Sequence, residues 1–372
     1  MAQKTGNVGC VAIVLVILLI LTIPLSLLFY NVGRVIFDKP LVKKVVTREV
    51  TESDLLAVTL EWFALRRAQE RVVTGQAQTA IREPDVLKAI QFLERKDWKN
   101  IRDEALPAQI VGGYVSTTLD GVYDWLDSNN PLPIITLELK SLKDWNRPPR
   151  AFKYADLVYS KLPPCKQDDI DDFVKRLAAA PPGTEVLYNL FTPCAFPLPW
   201  TPDQTQDYRD GMNEVIDNMP DRFNLTLELS RVEKQSGVGA AAIKNQIRFL
   251  RAAAGLSPLV PILFLVLLIA YGSKSRFNFA RWVGLPLLVG GLVGLLPSLT
   301  YASAISAALT SGAMSEVPKA VQAEFTRAFG VLFAEIFNPM GIEAAIISAI
   351  GLGVIIFGVI QKRKMKESAV TP

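Results

Sequence analysis

Histidine is absent from all 372 residues. Its absence excludes Ser-His-Asp and Cys-His catalysis, histidine-bound zinc or haem, and histidine pH switching. Cysteine is nearly absent, with three residues, too few without histidine to close a tetrahedral zinc site. Charge is sparse at 20% of residues, against about 25% in an ordinary soluble protein. The 40 basic residues are nearly matched by 36 acidic ones, and they form no long stripe. A nucleic-acid partner is therefore not expected. The sequence also lacks a P-loop, a G-x-S-x-G elbow and an H-E-x-x-H pair. No catalytic, cofactor-binding or metal-ligating residue stands out.

What the chain has in abundance is apolar surface: half its residues are hydrophobic and the mean hydropathy is +0.26. A helix needs about 20 apolar residues to cross the hydrocarbon core. Four segments meet that length, at 8–30, 252–271, 282–301 and 342–360. Glu343, at the edge of the last, is their sole acidic or basic residue. Charge-free spans argue against a pump or coupled transporter, whose proton or ion routes need ionisable groups. The first span competes with a cleaved signal peptide. Its uncharged run is longer than the 7–15 residues of such a peptide and no A-x-A site follows, so an uncleaved signal anchor is expected. Cys10 precedes the apolar run, the wrong place for a lipoprotein cysteine. Gly290 and Gly294 form a GxxxG pair in the third span, and Ala349 and Gly353 a small-xxx-small pair in the fourth. Both are candidate helix-packing positions, within one chain or between copies in a homo-oligomer.

Short positive loops stay cytoplasmic. The loop 272–281 carries Lys274, Arg276 and Arg281, and the tail 361–372 carries Lys362, Arg363, Lys364 and Lys366. Both are assigned to the cytoplasm with the N-terminus, 1–7. The domain at 31–251 and the loop 302–341 are then extracytoplasmic in a multi-pass plasma-membrane protein. Arg34, Lys39, Lys43, Lys44 and Arg48 follow the first span on the outer side, against this trend. Contact with anionic lipid head groups is one account of them. Cys165 and Cys194 are candidates for a disulfide closing a loop of about 30 residues in an oxidising compartment, with two buried thiols as the rival reading.

The fold expected is membrane α-helical, with four transmembrane helices, plus an extracytoplasmic α+β domain that is mainly helical with a small sheet. A helix is predicted from Asp54 with Leu55, Val58, Trp62 and Leu65 on one face, another opens at Pro84, and a third spans Ala108 to Leu126. Two stretches share the pattern (Ile/Leu)-Thr-Leu-Glu-Leu, at Ile135–Leu139 and Leu225–Leu229, and are predicted to pair as strands. Their Glu138 and Glu228 are a conceivable acid–base pair, though solvent-facing positions are the plainer reading. Helices are also expected at Asp168 to Ala179, whose acids suit a helix start, at Thr205 to Met219, and at Val238 to Ala254, running into the second span. Asn224-Leu225-Thr226 fits the glycosylation sequon. In the outer loop, Val317, Val321, Phe325, Phe329, Leu332, Phe333 and Ile336 form one face of a helix that would lie on the membrane or dock under the domain.

The order of parts, one anchor, a large outer domain and three further spans, resembles the topology of MacB- and FtsX-type permease subunits. That resemblance implies transmission of motion from a separate ATPase, although the amphipathic helix before their first span is missing here. Leu162-Pro163-Pro164-Cys165, Pro193-Cys194 and the tail architecture are similar to uncharacterised membrane proteins of Chloroflexi-type bacteria, a match of short motifs that implies no activity. The function expected is a non-enzymatic binding, scaffold or accessory subunit whose partners are the bilayer and a protein or envelope component. A permease-like subunit and a membrane-anchored hydrolase working without histidine are the alternatives.

Overall fold

The computed structural model describes residues 5–73, 89–179, 193–198, 201–237, 239–272, 279–311, 314 and 317–368. Among these, four helical stretches are long and apolar enough to cross a bilayer, over Val11–Ile36, Ala240–Tyr271, Ala280–Ser311 and Lys319–Arg363. They carry a mostly helical domain with one two-stranded sheet.

Helix α1 (Thr5–Ile36) rises through the first span. Asp38 then caps α2 (Lys39–Glu52), its carboxylate accepting from the Leu41 amide, and α3 (Leu55–Val73) follows. Ser53 separates them, its hydroxyl accepting from the Leu55 amide. Past the turn Ile90–Phe92 come α4 (Arg95–Ala105), started by a reciprocal Glu94/Asp97 capping box, and α5 (Ala108–Asp127). Helices α2 and α5 run antiparallel: Lys39 meets Asp120 and Asp124, Lys43 meets Asp120, and Gly112 lies against Thr47. Of the basic residues after the first span, Lys39 and Lys43 are thus spent on α5, while Arg48 meets Glu49. The helix expected at Pro84 begins outside the described residues.

Strand β1 (Thr136–Glu138) leads to α6 (Lys140–Trp145), α7 (Arg150–Ser160), α8 (Gln167–Ala179) and α9 (Thr201–Asp217). The domain core joins Ile90, Leu93 and Trp98 to Ala155, Val158, Leu162 and Tyr208, with Leu60 and Ala64 of α3 against it. Cys165 and Cys194 form a disulfide with Cα atoms 4.8 Å apart. The bridge packs on Phe173 and Phe196, and fully buried Gln204 holds this loop by donating to the Cys194 carbonyl and accepting from the Phe196 amide.

Strand β2 (Arg222–Asn224) pairs antiparallel with β1, Leu137 opposite Phe223. Here the sequence expectation is corrected. The first copy of the shared pattern forms a strand, whereas the second becomes helix α10 (Leu225–Ser236). The cause is local: Asn224 accepts from the Leu227 amide as an N-cap, which turns the chain into a helix at the residue after the pairing ends. Thr226 keeps contact with β1, donating to the Pro133 carbonyl and accepting from the Ile135 amide. Gly237 ends α10 in the left-handed region, φ 70°.

Helix α11 (Ala240–Leu256) passes through Ser257 and Pro258 into α12 (Leu259–Gly272). After the loop, a π-helical turn at Ala280–Gly284 opens α13 (Leu285–Ser311). The last element, α14, is a single helix of 50 residues, Lys319–Ser368. The amphipathic helix expected in the outer loop and the fourth span are therefore one rod. It docks on the domain rather than lying on the membrane, because Val321 is buried and Arg327 pairs with Glu49 of α2.

In the membrane part, Ala12, Leu15, Leu19 and Ile23 of α1 pack with Leu268, Trp282, Leu287 and Ile347. Gly290 faces Ile23, and Gly294 lies against Leu27 and Ala344. The pair Ala349 and Gly353 lies off the seam: Ala349 is exposed, and a Cβ on Gly353 would meet nothing within 4 Å. The α13–α14 seam runs instead through Ala344, Ser348, Gly351, Ile355 and Gly358, which lie three or four residues apart and so share one helix face. Gly351 presses on the Leu288 backbone and Gly291 on Ser348.

Candidate functional site: the joint between the membrane helices and the domain

The polar groups that the sequence placed at span ends meet at one level. Asn31, with no exposed surface, donates from Nδ2 to the Leu27 carbonyl at 2.9 Å and to Glu343 Oε2 at 2.7 Å. Sharing one amide nitrogen between two acceptors fixes the orientation of the Asn31 side chain. Asn31 Oδ1 is buried and has no partner among the described residues. One to two turns deeper, Ser26 donates to the Ser257 carbonyl at 2.9 Å and Ser257 donates back to the Ser26 carbonyl at 3.2 Å. This reciprocal pair ties α1 to the break between α11 and α12. Gly33 lies so close to Ala254 that a side chain there would collide with it.

Twenty residues of helix rise about 30 Å, the thickness of the hydrocarbon core. Counting that far along α14 from Glu343 reaches Arg363, so the Asn31–Glu343 contact and Arg363 are spaced as the two edges of such a core would be. Tyr301 stacks on Phe337, six residues outward of Glu343, and so stands about 9 Å beyond that contact.

On the domain side of the Asn31–Glu343 contact, two clamps hold the domain. Arg327 of α14 reaches Glu49 at 3.3 Å, and Glu49, 8% exposed, also meets Arg48 at 3.4 Å. Buried Arg102 donates to the Ser53 carbonyl at 2.8 Å beside that contact. On the other side, Lys244, Arg248 and Arg251 share one face of α11 at helical spacing. Lys244 donates to the Ser128 and Asn130 carbonyls, Arg248 to the Leu126 and Ser128 carbonyls, and Arg251 pairs with Asp127 at 2.7 Å. Three cations therefore sit on the C-terminal end of α5, where the helix dipole is negative.

A cleft of about 1000 Å³ opens between α13 and the start of α14, lined by Ser306, Thr310, Lys319, Gln322, Thr326 and Arg327 among others. Gln322 spends its amide on the Met314 and Val317 carbonyls, and Arg327 is engaged by Glu49 and Glu324. The cleft is lined in addition by Val317, Pro318 and Ala323, and the Thr310 hydroxyl donates to the Ser306 carbonyl, so it is a mainly apolar groove with Lys319 at its edge.

The other candidates from the sequence resolve into structural roles. Asp169 accepts from the Lys166 amide, Asp171 from Gln167, and Asp172 pairs with Arg176, as acids at a helix start do. Among the described residues no three acidic or cysteine side chains gather as a metal site. Glu138 pairs with Arg222 and Glu228 with Arg231, so these carboxylates are not brought together. Sequence reading missed the roles of Asn31, Ser26, Ser257 and Arg327. The signal for Asn31 was present, an amide directly following 23 uncharged residues, but its partner lies 312 positions away. No protein-family model, curated protein or solved structure matches the chain.

Proposed function

We propose that the chain is a multi-pass plasma-membrane subunit whose extracytoplasmic domain binds a protein partner or envelope component, serving as a scaffold or accessory subunit rather than an enzyme. The carrying observation is the continuity of α14. One helix runs from its contact with Glu49 in the domain, through the Asn31–Glu343 joint, to Arg363 at the far boundary. A domain tied to the membrane helices in this way suits the display of a binding surface. The Cys165–Cys194 bridge supports an oxidising outer compartment. The pairing of Lys39 and Lys43 with α5 supports it in part, since it engages two of the five cations that opposed this orientation. Purification from the native host in mild detergent, with mass spectrometry of co-purifying species, tests the reading. Stoichiometric recovery of a second component is expected, and recovery of the chain alone overturns it.

The same continuity favours a second reading, a permease-like subunit that transmits motion from a separate ATPase, because rigid rods carry displacement. That reading requires an ATPase bound at the 272–281 loop. An affinity capture that retains such a protein with the intact chain, and loses it when Lys274 and Arg276 are replaced by serine, would distinguish it.

A further inference from the structure

We propose that the outward face of α11, together with Arg34 of α1, lies in the lipid head-group zone and acts as an interfacial anchor for the domain. Lys244, Arg248 and Arg251 turn one face of α11 to α5, so the opposite face is left outward. It presents Phe249 at 73% exposure, with Leu250 and Leu256 also exposed. On that side the apolar surface continues into exposed Val260 and Leu263 of α12, the lipid-facing side of the second span. A face continuous with a lipid-facing surface has lipid as its natural occupant.

The register fixes the depth. Phe249 and Arg34 each stand eight residues outward from the hydrogen-bonded Ser257 and Ser26, so both lie about 12 Å above that pair. Asn31, at the hydrocarbon boundary, stands about 7.5 Å above it. The head-group zone outside that boundary is roughly 5 to 7 Å thick, and both residues fall within it. Arg34 is exposed and makes no ion pair or hydrogen bond among the described residues. An apolar wedge and an unpaired guanidinium at one level match the acyl boundary and the phosphates of a lipid leaflet.

The test uses the full chain carrying Cys10→Ala, reconstituted in phosphatidylcholine–phosphatidylglycerol vesicles. Single cysteines replace Phe249 or Arg34 and carry a nitroxide, and accessibility to oxygen and to a nickel chelate is measured by power saturation. Labels at Leu263 and Leu198 give the deep and aqueous references, since both side chains are exposed. The expected result is an oxygen-to-nickel ratio between the two references at both positions. A ratio equal to that at Leu198 means bare solvent and overturns the proposal. Exclusion of both reagents means a protein partner covers the face and overturns it equally. The readout concerns depth alone, so it stands or falls separately from the partner reading above.

Discussion

Asn31 Nδ2 and Glu343 Oε2 are hydrogen-bonded at 2.7 Å between the first and last apolar helices, at the ends nearest the domain. It is the contact of the one carboxylate within the four apolar segments, which hold no lysine or arginine. An unpaired polar group costs more in apolar surroundings than the net worth of its hydrogen bond. Asn31→Ala strands the Glu343 carboxyl, whereas Glu343→Gln still offers an acceptor to Nδ2. The alanine variant should lose about 1–2 kcal/mol and the glutamine variant clearly less. Thermal unfolding in detergent ranks the two, and the reverse order would refute the pairing argument.

The α13–α14 seam makes a paired prediction. Valine at Gly351 must push into the Leu288 backbone, which cannot yield as a flexible side chain can. Valine at Gly353 meets open space. Gly351→Val should cost about 1–3 kcal/mol through overpacking, and Gly353→Val should leave the unfolding midpoint unchanged. Equal sensitivity at both positions would place the seam elsewhere.

Arg327→Ala leaves Glu49 with its neighbour Arg48 as its one charge partner among the described residues. Because Arg327 is itself 47% exposed, the loss should be about 1 kcal/mol rather than the value for a fully buried pair. Hydrogen exchange should speed up in α2 and in the outer half of α14 while the spans stay protected. The charge-swapped double variant Glu49→Arg with Arg327→Glu should restore protection. Uniform change along the whole chain would count against a local clamp.

Removing the disulfide should destabilise the domain by about 2–4 kcal/mol, given the loop it closes. Cys165→Ser, Cys194→Ser and the double variant should shift the unfolding midpoint equally, since any one of them breaks the Cys165–Cys194 bond. Additive shifts in the double variant would mean that the thiols act independently.

Asp207 sets a pH dependence. Burial, then the charges of Asp210 and Asp203, pushes its carboxyl pKa up to about 7 from 3.8, and Oδ2 has no partner among the described residues. Between those values the folded state holds a proton that the unfolded state has released. This group's contribution to stability therefore falls as pH rises from about 4 to 7 and is flat above. Asp207→Asn should gain stability over the parent, negligibly near pH 4 and most above pH 7. A gain that does not vary with pH would show that this carboxyl does not titrate as described.

The spans were legible in the sequence because hydropathy over 20 residues is a property of the segment alone, and all four appear as long apolar helices. The cysteine pairing was legible for want of alternatives. The same reading went astray where one residue outweighs a pattern. Leu225–Leu229 carries a strand-like alternation, yet the Asn224 cap turns it helical. It also went astray over small residues. Spacing alone recommends Ala349 and Gly353 as much as any pair in α14, but only the position of α13 selects Ser348 and Gly351.

The sequence by itself determined that there are four apolar segments, that charges gather at their ends, and that a domain lies between the first two, because each follows from local composition. The tertiary structure decided which polar end groups meet. It set Asn31 against Glu343, Ser26 against Ser257 and Arg327 against Glu49, contacts whose partners lie 312, 231 and 278 residues apart. No local preference encodes such pairs. The Asn31 and Ser26 pairs exist because close helix packing in an apolar medium leaves a buried polar group only the partners that the neighbouring helices bring to its level, and the docking of α14 on α2 sets Arg327 against Glu49.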